Sequence, residues 1–292
     1  MHRTMAVSLM QWNANGLLSK QSEFKQHIAN NDHDVICIQE TFLKQNKQIR
    51  IPGYDAIRND RLEAKSGLMM LIKHGVKYIS LPSPQNVECQ VAEMSTKSGK
   101  ITVINVYVAP TKKIDVASCQ ALFSRSNTII VGDFNAKNQL WNSTTDNERG
   151  RAIEMLVTQN NFVVLNNGNA TYQNTLGHLS YIDLNLVSNN LGTKCAWYTL
   201  NNMMGSDHML IVCRVQDQLI IESESITKWK LDKADWHNYR EQCRKHLIGT
   251  EVYDQNIENF SQNIIDMINS SANANIPQRK SGRKRKRKAL PY

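Results

Sequence analysis

The sequence predicts an α/β protein: a four-layer α/β sandwich of two packed mixed β-sheets flanked by helices, with a C-terminal helical extension. Three observations carry this. Up to about residue 216, short runs rich in Val, Ile, Tyr and Thr alternate with helix-like or turn segments. The strand candidates number about ten, more than one strongly twisted open sheet accommodates well, so two packed sheets fit better. After Val215 the β pattern stops and helical periodicity replaces it.

Taken in chain order, the strand candidates begin with Ala6–Trp12, Val35–Gln39, Gly67–Lys73, Val87–Ser95 and Ile101–Val108. They continue with Thr128–Val131, Phe162–Leu165, Tyr181–Val187, Lys194–Leu200 and His208–Val215. Gly99, in Ser98-Gly-Lys100, marks a hairpin turn. Helices are expected at Ser19–Asn30, Ile114–Phe123 and Glu148–Asn160. Residues 1–216 form the first domain on this reading, and 217–278 a helical linker region with helices at Ala234–His246 and Asn256–Ser270. In the second of these, Ile257, Phe260, Ile264, Ile265 and Ile268 give an apolar face. The Asn/Ala-rich Ser271–Ile276 reads as a connector, and 279–292 as a basic tail.

Composition narrows the class. The 292 residues are 41% hydrophobic and 21% charged, ordinary for a globular chain, which excludes a collagen-like fibre and disorder throughout. The densest apolar run, residues 67–72, falls far short of the roughly 18 residues a membrane span needs. The N-terminus has neither the apolar core nor the cleavage site of a signal peptide, so an intracellular protein is expected. Six cysteines without CxxC spacing predict free thiols rather than zinc or disulfides. The net charge of +9 is concentrated: eight Lys and Arg fall within 279–288, and the remainder holds 27 basic against 26 acidic groups. Contact between the body and nucleic acid must therefore come from local patches.

Strand ends carry the residues that could do chemistry. Asn13 follows the first strand, Glu40 the second, Tyr107 closes the run from Ile101, and Gly132-Asp-Phe-Asn135 follows Thr128–Val131. Asp183 lies in Tyr181–Val187, and Ser206-Asp-His208 opens the last strand. Side chains at strand ends share a crevice because the sheet fixes them while the loops stay open. Singly each has an ordinary explanation: a solvated end for Glu40, turn chemistry for 133–135, a cap for Ser206 and a half-buried aromatic for Tyr107. His27, His33, His74 and His178 sit in polar surroundings and read as surface residues.

The ordered series is far more specific than its parts. Gln11-Trp-Asn-Ala-Asn-Gly16, Ile38-Gln-Glu-Thr41, Asn105-Val-Tyr-Val-Ala-Pro110, Gly132-Asp-Phe-Asn-Ala136, Ser180-Tyr-Ile-Asp183 and Gly205-Ser-Asp-His208 resemble the endonuclease/exonuclease/phosphatase superfamily. More closely they resemble the apurinic-type endonuclease domain of LINE (non-LTR) retrotransposons, over about residues 4–215. Glu148-Arg-Gly-Arg151 with Phe162-Val-Val-Leu-Asn166 is similar to that same branch.

The resemblance implies a metal-dependent DNA endonuclease that leaves 5′-phosphate and 3′-hydroxyl ends, the hydroxyl priming reverse transcription. It implies that Glu40 and Asp207 hold Mg²⁺, with Mn²⁺ as the alternative ion. It further implies catalytic roles for Asp133, Asn135, His208, Asp183, Tyr107 and Asn13, with Asp133 as base and His208, paired to Asp183, as charge stabiliser. Ser206 would contact DNA or phosphate, as would Thr171, Asn174 and His178 within a 171–180 hairpin or loop that helps select the target. Implied partners are double-stranded DNA and the reverse transcriptase domain of the same polyprotein, with no membrane; the implied location is the nucleus. Three alternatives stay open: a stand-alone phosphohydrolase, an abasic-site repair endonuclease, and a non-catalytic nucleic-acid-binding module. Lys137-Asn-Gln-Leu-Trp141 and Leu184 depart from the pattern of cellular repair enzymes.

Overall fold

A computed structural model describes residues 6–47, 49–60, 66–220, 228–248 and 257–279. The chain divides into two compact units, Met1–Glu222 and Ser223–Tyr292. In chain order the first unit runs β1 (Val7–Asn13), α1 (Gln21–Asn30), β2 (Val35–Gln39), β3 (Tyr54–Asn59), β4 (Leu68–Lys73) and β5 (Tyr78–Leu81). There follow β6 (Cys89–Thr96), β7 (Gly99–Tyr107), α2 (Val116–Phe123), β8 (Thr128–Asp133), α3 (Glu148–Gln159) and β9 (Phe162–Val164). It closes with β10 (Tyr172–Gln173), β11 (Leu179–Ser180), β12 (Asp183–Ser188), α4 (Asn189–Gly192), β13 (Cys195–Leu200) and β14 (Leu210–Val215).

Two six-stranded sheets result, ordered β13-β14-β1-β2-β4-β3 and β5-β6-β7-β8-β12-β9. Both are mixed. Each has a parallel pair near its centre, β1 with β2 and β7 with β8, and all its other pairings are antiparallel. Helices α1 and α2 are the crossovers that parallel pairing demands. The architecture is two mixed sheets flanked by helices, as the sequence pattern predicts.

Period-two alternation builds the layers. Val7, Leu9, Val35, Cys37, Met70 and Ile72 of the first sheet meet Val103, Ile129, Val131 and Val187 of the second between the sheets. The intervening residues Met10, Trp12, Ile36, Ile38, Met69 and Leu71 face outward, against Phe24 of α1. On the opposite outer face, Ile104, Val106, Ile130, Leu184 and Leu186 meet Cys119, Leu122, Ile153 and Leu156 of α2 and α3. Toward one end of the inner layer, amides replace the aliphatics. Gln11, Gln39, Asn105 and Asn185 are fully buried there. They bond one another in pairs: Gln39 Nε2 donates to Asn105 Oδ1 at 2.6 Å, and Asn185 Nδ2 to Gln11 Oε1 at 2.5 Å, while Gln39 Oε1 and Asn185 Oδ1 stay without a partner.

The expected elements differ from the observed ones at the edges. β3 and β5 were not among the ten candidates, because both are half-exposed edge strands without a continuous apolar run. The last strand starts at Leu210, since Asp207–Met209 bond instead to 171–173 (Gln173 N to Asp207 O, 2.9 Å; Met209 N to Thr171 O, 2.8 Å). Residues 217–220 continue along the second sheet, with Lys97 N donating to Gln218 O at 2.7 Å and Ile220 N to Ser95 O at 2.8 Å. All six cysteines are free thiols.

The second unit holds β15 (Lys228–Trp229), α5 (Trp236–Ile248), α6 (Ile257–Asn275) and β16 (Gln278–Arg279), with the two short strands paired. The expected connector at 271–276 is instead the end of α6: Ser271, Ala272 and Ile276 are buried, and Asn275 donates to Gln242 Oε1 of α5 at 2.9 Å. Ile265 and Ile268, expected on a buried face, are exposed, because a pair of helices covers only one side of α6. The basic run from Lys280 onward lies outside the described residues. No described helix is long and apolar enough to cross a membrane.

His33 corrects another expectation. It is only 5% exposed, stacks on His27 with ring centroids 5.7 Å apart, and shares a 3.1 Å hydrogen bond with the Ser8 hydroxyl. Desolvation, reinforced by His27 and Arg214, pushes its pKa down to about 4. The fold therefore holds neutral imidazole. Its stabilising share is complete above the unfolded value near 6.5 and is lost as the pH falls toward about 4. The total is on the order of 2–3 kcal/mol. Urea midpoints of His33→Gln measured between pH 7.5 and 4.5 should fall less steeply than those of the parent; parallel curves would refute the assignment.

Candidate active site

The carboxyl ends of both parallel strand pairs open at the amide-lined end of the inter-sheet layer. β1 and β2 deliver Asn13 and Glu40, with Asn13 in register with Gln39. β7 and β8 deliver Tyr107 and Asp133, themselves register partners, and Asp183 of β12 pairs with Asp133 on the other side. His208 arrives from the loop before β14. Asp133, Asp183 and His208 are all buried, and Asp133 and His208 line an open cleft of about 600 Å³.

Asn13 links the two sheets. Its amide donates to Glu40 Oε1 at 3.0 Å and to Asp133 Oδ2 at 2.9 Å, while its carbonyl accepts from Asn15 N at 3.0 Å. His208 Nδ1 lies 2.9 Å from Asp183 Oδ2, and its Nε2 lies 3.9 Å from Asp133 Oδ2. Asp183 also accepts from Gln11 Nε2 at 3.4 Å. Tyr172 sets its ring edge-on to the imidazole, centroids 4.8 Å apart.

Electrostatics separate the roles. Desolvation alone would lower the His208 pKa, but the Asp183 charge and hydrogen bond, with Asp133 and Asp207, outweigh it and raise the value to about 9. Imidazolium is therefore the resting form at neutral pH. Asp133 moves the other way for a carboxyl group: burial first, then the Asp183 charge, raise its pKa to about 7. Such a carboxylate is a competent proton acceptor near neutrality. Desolvation and the Glu40 charge keep Tyr107 protonated, its phenol bonded to Glu40.

Asp133, Asp183 and His208 bring ligand atoms within 4.8 Å of one another, yet they make a poor metal set. Asp183 and His208 are engaged with each other, and an imidazolium has no lone pair to give. Glu40 and Asp207 suit a hard cation better. Their hydrogen-bond donors are neutral, the Asn13 amide and Tyr107 phenol on Glu40 and the Asn15 amide and Ser206 hydroxyl on Asp207, and both carboxylates line the cleft.

Other sequence-predicted residues take different places. Thr171 is fully buried, and its hydroxyl accepts from Ile182 N and Asp183 N, both at 3.1 Å. It fixes the Asp183 backbone. Ser206 donates to Asn13 O at 2.8 Å and so ties the His208 loop to β1. Asn174 and His178 lie on the β10–β11 hairpin, away from the buried cluster; Asn174 Oδ1 accepts from Leu176 N and His178 N and closes the turn. Asn135 has φ 46°, donates through Nδ2 to Val108 O at 3.0 Å, and borders the cleft.

The site also recruits Gln11, Asn15, Tyr172 and Lys20, which the strand-end reading missed. Lys20 donates to Asn15 O at 2.5 Å, and its pKa is lowered by desolvation against the pull of Asp207 and Glu40. Asn15 lies in the first motif and was legible there; Lys20 has no sequence signal.

The two-sheet fold is shared with solved nuclease structures. Among solved structures, the endonuclease domain of TRAS1, a telomere-specific non-LTR retrotransposon, superposes with a TM-score of 0.63 at 19% identity, covering 72% of this chain and 98% of that one. AP endonuclease LMAP from Leishmania major gives 0.61 at 16% identity, over 72% and 87% of the two chains.

Residues 101–212 match the endonuclease-reverse transcriptase family. The RNA-directed DNA polymerase from mobile element jockey of Drosophila melanogaster is 26% identical over 175 residues, 58% of this chain and 19% of its own length. Its Drosophila funebris counterpart is 21% identical over 277 residues, 91% and 30% of the two. The probable RNA-directed DNA polymerase from transposon X-element of Drosophila melanogaster is 27% identical over 217 residues, 71% and 24%. The chain thus spans less than a third of the curated relatives it matches.

Proposed function

We propose that this chain is a divalent-metal-dependent DNA endonuclease that nicks a double-stranded target, leaving 5′-phosphate and 3′-hydroxyl ends. In the same reading the hydroxyl primes reverse transcription by a polymerase domain of the same polyprotein, and the work is done in the nucleus. The observation that carries it is the buried Asp183–His208 pair standing 3.9 Å from Asp133, an imidazolium beside a carboxylate of raised pKa.

A phosphodiester resists attack because it is anionic and its leaving alkoxide is poor. Asp133 orients the attacking water and takes its proton. His208, kept cationic by Asp183, donates to a phosphoryl oxygen as negative charge builds. Tyr107 and Asn13 hold Glu40 and Asp133 apart at fixed positions, and Asn135 borders the incoming phosphate. Mg²⁺, with Mn²⁺ as the alternative, would be held by Glu40 with Asp207 as a second acid, and would supply Lewis-acid neutralisation of phosphate charge.

Purified chain with supercoiled plasmid and Mg²⁺ should yield nicked circles that DNA ligase reseals, and EDTA should abolish them. Activity that survives EDTA, or nicks that ligase cannot close, would overturn this reading. The basic composition of 279–292 supports nuclear import; a tagged chain lacking those residues should lose nuclear accumulation, and retention of it would remove that support.

Target choice falls to the β10–β11 hairpin in this reading. Leu176 at its tip is 79% exposed and Leu179 52%, apolar side chains suited to wedge into a minor groove. Shortening Gln173–His178 should redistribute nick positions on sequenced ends while changing the total rate by less than about tenfold. Identical cleavage maps would show that the hairpin does not choose the site.

A further inference from the structure

We infer that Arg149, with Asn147, is a positioning residue that fixes the Asn135 loop for catalysis, an inference that rests on the nuclease reading above. The Glu148-Arg-Gly-Arg151 motif otherwise has no part in the chemistry. Its place in the fold supplies one. Arg149 Nε donates to Asn135 O at 2.8 Å, and its Nη1 donates to Pro110 O at 2.6 Å and Lys112 O at 3.2 Å. One planar guanidinium thus ties the loop after β8 to the loop after β7, the two loops that leave Asp133 and Tyr107.

Asn147 closes the clamp from the other side. Its Nδ2 donates to the same Asn135 carbonyl at 2.9 Å, and its Oδ1 accepts from Lys137 N at 3.0 Å and Gly150 N at 2.7 Å. Gly150 permits the close approach: a Cβ there would sit 1.8 Å from Lys137 O. The held residue needs holding. Asn135 is a non-glycine residue at φ 46°, a left-handed conformation that persists only where its surroundings enforce it. From that conformation its N–H donates to Asp133 Oδ1 at 2.9 Å, which orients the proposed base. Arg149 therefore acts on the reaction through Asn135 and Asp133, without needing to touch DNA.

The test pairs kinetics with a readout that needs no activity. Arg149→Ala should lower kcat for nicking by roughly tenfold to a hundredfold, the loss typical of about 1 Å of misplacement, with KM within about twofold. In an Asp133→Ala background, which removes the carboxylate that the Asn135 N–H orients, the same substitution should cost less than about twofold further, because its route of action is already gone. Amide exchange at 134–137 should accelerate in Arg149→Ala without DNA or metal. Arg149→Lys, which keeps the charge but not the planar fork, should show the same pattern at smaller amplitude and serves if the alanine variant does not fold. Fully additive losses, a KM effect with kcat unchanged, or unaltered exchange at 134–137 would each overturn the assignment. An inactive parent chain with accelerated exchange in the variant would instead sink the nuclease reading and leave the clamp standing.

Discussion

His208→Ala is expected to lower the single-turnover nicking rate by about a hundredfold to a thousandfold at saturating metal, the scale for removing one transition-state donor from a buried site. Asp183→Asn should come close to it, because an imidazole without its carboxylate partner loses both its fixed orientation and the charge that raises its pKa to about 9. The double variant should then be little worse than either single one, since the two side chains act as one unit. Additive losses would show that Asp183 serves some purpose other than holding His208. Circular dichroism belongs beside the kinetics: His208→Ala leaves Asp183 buried with a 3.4 Å contact from Gln11, and an uncompensated buried charge is costly.

Gly132→Ala is expected to produce a large loss of stability from a single methyl group. Its Cβ would lie 1.9 Å from Val106 O and 2.7 Å from Val106 C, main-chain atoms of the neighbouring strand that no rotamer change can move. Relief requires β7 and β8 to separate at the centre of their sheet, one register step from Tyr107 and Asp133. A cost of about 3 kcal/mol or more is expected, at the upper end for overpacking. Urea denaturation measures it, and a midpoint within error of the parent would refute the argument. Nicking should fall more than the folded fraction does, because the separated strands are those that deliver the base.

The sequence displays the central strands and the site-bearing ends plainly, because both sheet interiors are written as period-two apolar runs ending in a polar residue. Asn13, Glu40, Tyr107 and Asp133 are legible for that reason. Edge strands such as Tyr54–Asn59 are not, since one side faces solvent and the residues there carry no pattern. The hydrogen bonds of Thr171 and Ser206 were not legible, because a hydroxyl near such a site has two uses, binding a ligand or bonding the main chain, and spacing does not distinguish them. Their hydrogen bonds do: both are spent on the backbone of the site's own loops. Lys20 and Arg149 escaped because their partners are main-chain carbonyls, which every residue possesses.

The strand order has a temporal consequence. β1, the first strand made, lies between β2 and β14, and β14 is the last strand of the two large sheets to be synthesised. Asn13 and Glu40 belong to the sheet that cannot close until residues 210–215 are available, and His208 immediately precedes them. A nascent chain that has not yet released residues 208–215 therefore holds its carboxylates without the imidazolium that completes them. A body assembled in this order would stay incomplete until residues 208–215 have joined it, with no inhibitor required.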